Sequence, residues 1–152
     1  MSSVTWPASL VPSAASLRLS TVQRVHASPF GGSEQVVDLL NDRWIMSLTL
    51  SARAGFDKGA QIEAFIAALR GQTNYVALWH FARPTVRGTL ASATAASAAQ
   101  GASAVVLTGS GTLKAGDMLG ISGLLLQVAA DVTVGTSTSV SIVNRLRTAV
   151  SG

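Results

Sequence analysis

The sequence predicts an α+β fold that is mainly antiparallel β, and three observations support this prediction. Several short segments alternate apolar and polar residues, as half-buried strands do. Clusters of Gly, Asn, Asp and Ser separate these segments and predict turns. Only residues 57–70 place apolar side chains at convincing helical spacing. Many short strands with one helix favour a fold built chiefly from antiparallel sheet.

The first residues of the chain predict an extended N-terminal arm. Pro7 and Pro12 favour this conformation over residues 1–13, and we expect a single β-rich domain over residues 14–152. Trp6 lies in the predicted arm. Its side chain could dock on its own domain or anchor a neighbouring subunit, because aromatic anchors are typical of interfaces.

Strands are predicted on the N-terminal side of the helix. Residues 14–25 alternate at first and then change phase, which a bulge near Thr21 would explain. Residues 43–51 form the clearest strand, and Gly31 and Gly32 provide turn chemistry before it. The apolar face of this strand consists of Trp44, Met46, Leu48 and Leu50.

The helix prediction over residues 57–70 depends on an apolar stripe at positions i, i+3, i+4 and i+7. The stripe consists of Ile62, Phe65, Ile66 and Leu69. Asp57 is predicted to cap the N-terminus of this helix, and Gly71 is predicted to end it in the left-handed conformation. A further strand is predicted over residues 74–81.

The C-terminal part is predicted to contain a variable loop followed by strands. Residues 91–103 are rich in Ala and Ser and lack an apolar stripe, so a loop or an irregular strand is expected. Strands are then predicted within residues 104–109, 117–135 and 136–146. Within them, residues 121–124 are typical of a hairpin turn, and residues 138–142 alternate as a half-buried strand does.

The composition favours burial against other chains or a surface rich in small polar residues. Of the 152 residues, 48% are hydrophobic and 12% are charged, and the charged share is about half the usual one. The 11 Lys and Arg residues are scattered, which disfavours direct nucleic-acid binding. No Cys is present for disulfides or thiolate metal sites. Neither a signal peptide nor a membrane span is predicted.

The residues that could carry catalysis form no recognisable active site. Neither His26 nor His80 has a second metal ligand at suitable spacing. Residues 111–117 lack the ending of a phosphate-binding loop and predict a β-turn that presents Asp117. No Ser lies in a G-x-S-x-G turn. We therefore predict a protein that is not an enzyme and has no catalytic, metal-binding or cofactor-binding residues.

Five residues are candidates for contacts with other chains instead. Arg83 and Arg87 flank Pro84 and could bind an acidic partner or a phosphate, or simply belong to a solvated loop. Glu34 and Asp38 could serve turns and caps, or contact arginines of a neighbouring copy. Together with Trp6, these four residues make up the predicted interface set.

Several short motifs occur in an order that resembles one protein family. They are "SPFGGSEQ" from residue 28, "RW" from residue 43, "FIAALRG" from residue 65, "LKAGDMLGI" from residue 113 and "VAADVT" from residue 128. In this order and spacing they resemble the distal tail (baseplate hub) proteins of long-tailed bacteriophages. The resemblance covers about residues 28–147, which is most of the chain.

The resemblance implies a β-sandwich-like domain with one helix packed against it, and a structural role in the virion. Proteins of this family form a hexameric ring at the distal end of the tail. The implied partners are further copies of the chain, the tail tube protein, the baseplate hub protein and the tape-measure protein. The implied location is the phage tail tip, after synthesis in the host cytoplasm. The chain looks short for this family, which puts receptor binding in doubt.

Three other functions remain open at this point. Another tail-ring protein, such as a tube or terminator protein, shares the sandwich-plus-helix plan. A small nucleic-acid-binding β-barrel would bind single-stranded DNA in a salt-dependent way. A carbohydrate-binding sandwich would need exposed aromatic side chains, for which Trp6, Trp79 and Tyr75 are the candidates.

Overall fold

The structure is a computed structural model that describes residues 2–50 and 55–151. Short strands dominate it, and the described residues contain a single helix, which confirms the α+β, mainly antiparallel prediction. The elements in chain order are β1 (Ser3–Val4), β2 (Pro12–Ser20), β3 (Gln23–Ala27), β4 (Glu34–Asp38), β5 (Arg43–Leu50), α1 (Phe56–Leu69), β6 (Tyr75–Val76), β7 (Ala93–Ala95), β8 (Ala104–Gly109), β9 (Gly111–Leu113), β10 (Met118–Ile121), β11 (Leu124–Gln127), β12 (Val132–Val134) and β13 (Thr138–Ser141).

The strands pair in small sheets. Antiparallel pairs join β3 to β4, β9 to β12 and β10 to β11, and a three-stranded antiparallel sheet runs in the order β13-β8-β7. The short strands β1 and β6 pair in parallel, and β2 pairs with β5.

The chain divides into two compact units. Unit 1 holds the described residues up to Leu17 and those from Met46 to Pro84, and unit 2 holds Arg18–Ile45 and those from Thr85 onward. β2 begins at Pro12, inside the predicted arm. The expectation of one domain over residues 14–152 stays a prediction, because compactness does not show whether either unit folds alone.

Unit 2 contains the main hydrophobic core. Strand alternation builds it: Val140 and Ile142 are buried while Ser139 and Ser141 are exposed, as their spacing predicts. The core residues are Leu90, Val105, Leu107, Leu113, Leu124, Leu126, Val128, Val134, Val140, Ile142, Leu146 and Val150. Leu90 lies just before β7 and the other core residues follow β7 in the chain. The residues from Leu90 onward therefore pack against one another.

The β10–β11 hairpin confirms the predicted turn. Ile121 pairs with Leu124 across the turn residues Ser122 and Gly123, whose φ angles are 48° and 76°. Positive φ at both central residues matches the right-handed twist of the strands, and Gly accepts this conformation without steric cost. The hairpin buries Leu124 and Leu126 in the core.

In unit 1, α1 differs in detail from its prediction. The N-cap is Gly55, which makes no side-chain capping hydrogen bond, so Asp57 lies in the first turn and favours the helix there through its charge. Arg70 already adopts the left-handed conformation, one residue before Gly71. Of the predicted stripe, Ile62, Phe65 and Leu69 are half-buried, whereas Ile66 is exposed.

Three strand predictions are corrected or extended. The segment 14–25 is two strands, and its phase shift marks the break between β2 and β3 rather than a bulge. The strand predicted over 74–81 is reduced to β6; residues 77–80 are not in a strand, and a turn follows in which the Arg83 N–H donates to the His80 carbonyl at 3.0 Å. Residues 91–103 include β7 and a bridge from Ala98 to Val150. Residue 51, the last residue of the strand predicted over residues 43–51, lies outside the described residues.

Candidate functional site

Asp117 is the best-bonded polar side chain of unit 2. Only 5% of the residue is exposed. Its Oδ1 accepts from the Arg87 N–H at 3.2 Å, and its Oδ2 accepts from the N–H groups of Gly88 and Lys114 at 3.1 and 2.9 Å. The turn predicted to present Asp117 is found, with the Asp117 N–H donating to the Lys114 carbonyl at 2.9 Å, but the side chain that it presents is buried. The carboxylate instead joins the β9–β10 turn to residues 87 and 88.

Opposing effects act on the ionisation of Asp117. Burial by itself raises the pKa of this carboxyl, because it disfavours the charged form. The three backbone N–H groups, together with the Arg87 guanidinium at 3.7 Å, favour the charged form and bring the pKa below its usual value. Asp117 is therefore a structural anion, without the raised pKa of a general acid.

A second carboxylate holds the outside of the same turn. The exposed Asp131 accepts from Lys114 Nζ at 2.8 Å and from the Ala115 N–H at 2.9 Å. The bond from Lys114 is the main cause that lowers the pKa of Asp131. The Arg87 guanidinium donates to the Ala115 carbonyl. Arg87, a predicted interface residue, is thus engaged within its own unit.

The backbone around Thr112 leaves no room for a side chain at Gly88. A Cβ on this residue would lie 2.0 Å from the Thr112 carbonyl oxygen. The next residue, Thr89, donates its N–H to the same oxygen at 2.9 Å. The backbone segments around Gly88 and Thr112 are therefore in direct contact, and a side chain would separate them.

The β3–β4 hairpin is the most exposed sheet element. It pairs over five residues from Gln23–Asp38 to Ala27–Glu34, and the Ser28 N–H closes the tip by donating to the Ser33 carbonyl at 2.9 Å. All of its strand residues except Asp38 are exposed. The exposed apolar side chains in and next to it are Val25, Phe30, Val36, Val37 and Leu39.

Sequence reasoning identified the turn of this hairpin but only part of its strands. Gly32 has a φ of 60°, which agrees with the turn chemistry predicted for Gly31 and Gly32. Residues 23–25 of β3 fell within the strand predicted over residues 14–25, but the rest of β3 and all of β4 were missed, because neither strand buries a face or shows a clean alternation. Val25 directly opposite Val36, on either side of a Gly-rich stretch, is the signal that could have revealed the pairing.

The base of the hairpin is joined to the rest of unit 2 through Asp38. Its Oδ1 accepts from the Leu40 N–H at 2.9 Å, and its Oδ2 lies 3.7 Å from Arg145 Nε. Asp38 thus combines the predicted turn role with an ion pair inside its own chain. Glu34 lies four residues away, at the tip, and is exposed.

A cleft lies beside this base, and we call it the arginine cleft. It encloses about 330 Å³ and is lined by Asp42, Arg43, Trp44, Gly123, Leu124, Leu125, Leu126, Asn144, Arg145 and Arg147. The buried Asn144 amide donates to the Leu125 carbonyl at 3.0 Å, and Trp44 Nε1 donates to the same oxygen at 2.9 Å. These bonds fix the wall formed by β11.

The polar groups of the arginine cleft are incompletely paired. Within the described residues, Arg43 and Arg147 form no ion pair, while Arg145 is shared with Asp38. Asp42 Oδ1 is buried and has no hydrogen-bond partner among those residues. A buried unpartnered carboxylate oxygen is costly. The cleft therefore offers two cations, Arg43 and Arg147, with which a bound anionic group could pair.

The two remaining interface candidates lie in unit 1. Trp6 is half-buried, donates from Nε1 to the Leu10 carbonyl at 2.8 Å, and stacks edge-on against Phe65 at a centroid distance of 5.2 Å. Its ring also lies 5.6 Å from that of Phe81. Trp6 therefore docks on its own unit, the first of its two alternatives. Arg83 is exposed in the turn after His80.

The structure brings Glu34, Asp38 and Arg87 into unit 2 and leaves Trp6 and Arg83 in unit 1. Across residues 2–50 and 55–151, no group of three or more His, Cys, Asp or Glu side chains could hold a metal ion. Within that same part of the chain, no helix has the length and apolarity needed to cross a membrane. Comparison with protein-family models gives no match, and comparison with curated proteins gives none either.

Proposed function

We propose that the chain is a non-catalytic structural subunit of a bacteriophage tail, which assembles with further copies of itself into a ring at the distal end of the tail tube. The β3–β4 hairpin is the observation that carries the assembly part of this proposal. The order of the motifs between residues 28 and 147 carries the phage part.

The hairpin supports assembly because, among the described residues, its two strands pair only with each other. A two-stranded hairpin alone is at best marginally stable in water. This one exposes a directly opposed apolar pair, Val25 and Val36, each 56% exposed, and carries at its tip Phe30, which is 98% exposed. Clustered apolar side chains on an exposed element mark protein–protein contact sites. The hairpin also leaves two strand edges open for pairing.

The composition and the polar chemistry agree with a structural role. Only 12% of the residues are charged, as expected for a subunit with much of its surface covered by neighbours. The two carboxylates with shifted pKa values, Asp117 and Asp131, both hold turns together. Neither has the pKa or the surroundings that acid–base catalysis needs. The proposed partners are the tube, hub and tape-measure proteins of the same tail.

Assembly is tested first with the purified chain. Sedimentation velocity and light scattering over a wide concentration range, followed by negative-stain microscopy, should reveal closed rings. Val25→Ser combined with Val36→Ser should keep the protein folded and monomeric. Ile66→Ser on α1 is the matched control, because Ile66 is also exposed, and it should leave assembly unchanged.

The phage part is tested by co-expression with tail tube and tape-measure proteins from the same genome. The proposal expects the chain at one end of the tubes, visible by labelling. A chain that stays monomeric at all concentrations and never associates with tail components would contradict the proposed function. Binding to single-stranded DNA that weakens with salt would favour the nucleic-acid-binding alternative instead.

A further inference from the structure

We infer that the tip of the β3–β4 hairpin, with Phe30 and Glu34, inserts into the arginine cleft of a second copy of the chain. This inference rests on the proposed function, because it requires copies to assemble. It adds the two surfaces that meet and the chemistry that joins them.

The hairpin tip presents three kinds of group. Phe30 is almost fully exposed, although the tip around it is closed by a backbone hydrogen bond. Glu34 adds a carboxylate on the exposed end of β4. The Gly31 and Gly32 N–H groups have no acceptor among the described hydrogen bonds. The tip therefore offers one aromatic ring, one anion and two backbone donors.

The arginine cleft presents the complement of the ring and of the anion. Arg43 and Arg147 are cations without an ion pair among the described residues. Trp44 and the β11 leucines supply an apolar wall. The volume of about 330 Å³ lies within the range of sites that enclose a small molecule.

The combination of cations and an apolar wall favours a polypeptide over a phosphate group as the occupant. A phosphodiester would satisfy the arginines, but it has no apolar part to cover Trp44 and the β11 leucines. The hairpin tip carries both a carboxylate for the arginines and the Phe30 ring for the apolar wall. Arg binds carboxylates through paired, charge-assisted hydrogen bonds, which gives such a contact its geometric specificity.

The tip cannot enter the cleft of its own chain. Asp38, at the base of β4, already contacts Arg145 of that cleft. Glu34 is four residues further along an extended strand, which places it roughly 13 Å away from the base. The contact must therefore join two copies. Since the tip and the cleft are different surfaces, the contact is heterologous and forms a ring if the rotation between copies closes.

The first test is a charge exchange between the two surfaces. Glu34→Arg and Arg147→Glu should each weaken assembly about tenfold or more, since each places like charges together. Combining both changes in one chain should restore assembly to near the original level. Glu63→Arg, an equal charge change on exposed α1, is the control and should have no effect.

The second test uses the absence of native cysteine. A Glu34→Cys chain mixed with an Arg147→Cys chain should form an intermolecular disulfide under mild oxidation, whereas Glu63→Cys mixed with Arg147→Cys should not. Efficient Glu34→Cys self-coupling would indicate hairpins packed against each other and would overturn the inference.

The outcomes separate the two proposals. If the unaltered protein assembles but the exchange fails to restore assembly and the mixed disulfide does not form, only the tip-in-cleft contact is wrong. If the unaltered protein assembles neither alone at any concentration nor together with the tail components, both proposals fail.

Discussion

Unit 2 contains two antiparallel hairpins of similar size that are stabilised in opposite ways. The β10–β11 hairpin pairs over four residues, turns tightly at Ser122 and Gly123, and buries Leu124 and Leu126. The β3–β4 hairpin pairs over five residues and buries none of them. Strand pairing is thus as extensive in the exposed hairpin as in the buried one. What differs is the presence of an apolar partner within the chain.

This difference predicts which hairpin stabilises the folded monomer and which hairpin mediates assembly. Apolar burial stabilises a folded chain in proportion to the area removed from water, and β10–β11 receives this stabilisation within the monomer. Within the described residues the β3–β4 hairpin buries no apolar side chain, and under the proposed function it receives this stabilisation from another copy of the chain. Changes in the first hairpin should therefore reduce the free energy of unfolding, and changes in the second should reduce association.

The largest expected effect comes from the buried hairpin. Leu126→Ala should lower the free energy of unfolding by about 2–5 kcal/mol, because it leaves a cavity in a closed core. Leu125→Ala, on the neighbouring exposed side chain, is the matched control and should cost much less. Urea denaturation of both variants measures the difference. Equal losses would mean that β11 has no buried face.

Removing the buried carboxylate should have the next largest effect. Asp117→Ala leaves the N–H groups of Arg87, Gly88 and Lys114 without their acceptor and should cost about 1–3 kcal/mol of stability. The surface carboxylate provides the control: Asp131→Asn should leave the denaturation midpoint almost unchanged at moderate salt. A midpoint shift for Asp131→Asn as large as that for Asp117→Ala would contradict the distinction.

The ionisation of Asp117 predicts a specific dependence on pH. Its folded pKa lies below its unfolded value of about 3.9, so the folded state binds the proton less readily. The resulting stability is fully present above the unfolded pKa and is lost as the pH falls through the folded pKa. The difference in unfolding free energy between the original protein and Asp117→Asn should stay constant from about pH 5 to 8 and shrink below about pH 4. If the difference in unfolding free energy between the two proteins did not change with pH, the ionised Asp117 carboxylate would not be the source of this stability.

The smallest expected effect on stability comes from the exposed hairpin. Val25→Ser with Val36→Ser should change the free energy of unfolding of the monomer by at most about 0.5 kcal/mol for each site, as surface substitutions usually do. Chemical denaturation at low protein concentration measures this. A loss comparable to that of Leu126→Ala would show that the hairpin packs within its own chain.

The sequence predicted elements wherever one face is buried. The segment 138–142 and the turn at Ser122 and Gly123 were identified correctly, because alternation and turn residues directly reflect burial and backbone geometry. Most of the β3–β4 hairpin was missed for the same reason, since its strands bury no face among the described residues and therefore show no clean alternation.

The candidate site could be predicted only in part. Glu34 and Asp38 were identified as interface candidates from their positions around a turn, but Asp42 and the three arginines of the cleft were not grouped. Arg43 and Arg147 are about a hundred residues apart, and only the packing of β5 beside the β10–β11 turn brings them together. Local spacing carries no signal for such a contact. The same applies to Asp117, whose partners at residues 87 and 88 are distant in sequence.

Amide hydrogen exchange of the two hairpins is the most direct test of the central claim. This claim is that the β10–β11 hairpin stabilises the folded monomer and that the β3–β4 hairpin mediates assembly. Exchange should be followed by mass spectrometry in the free monomer and in the assembled state. We expect residues 23–38 to exchange rapidly in the monomer and to become at least about tenfold slower on assembly, because their open edges and apolar faces are then covered. Residues 118–127 should be protected in both states. Equal exchange of residues 23–38 in both states would contradict the claim.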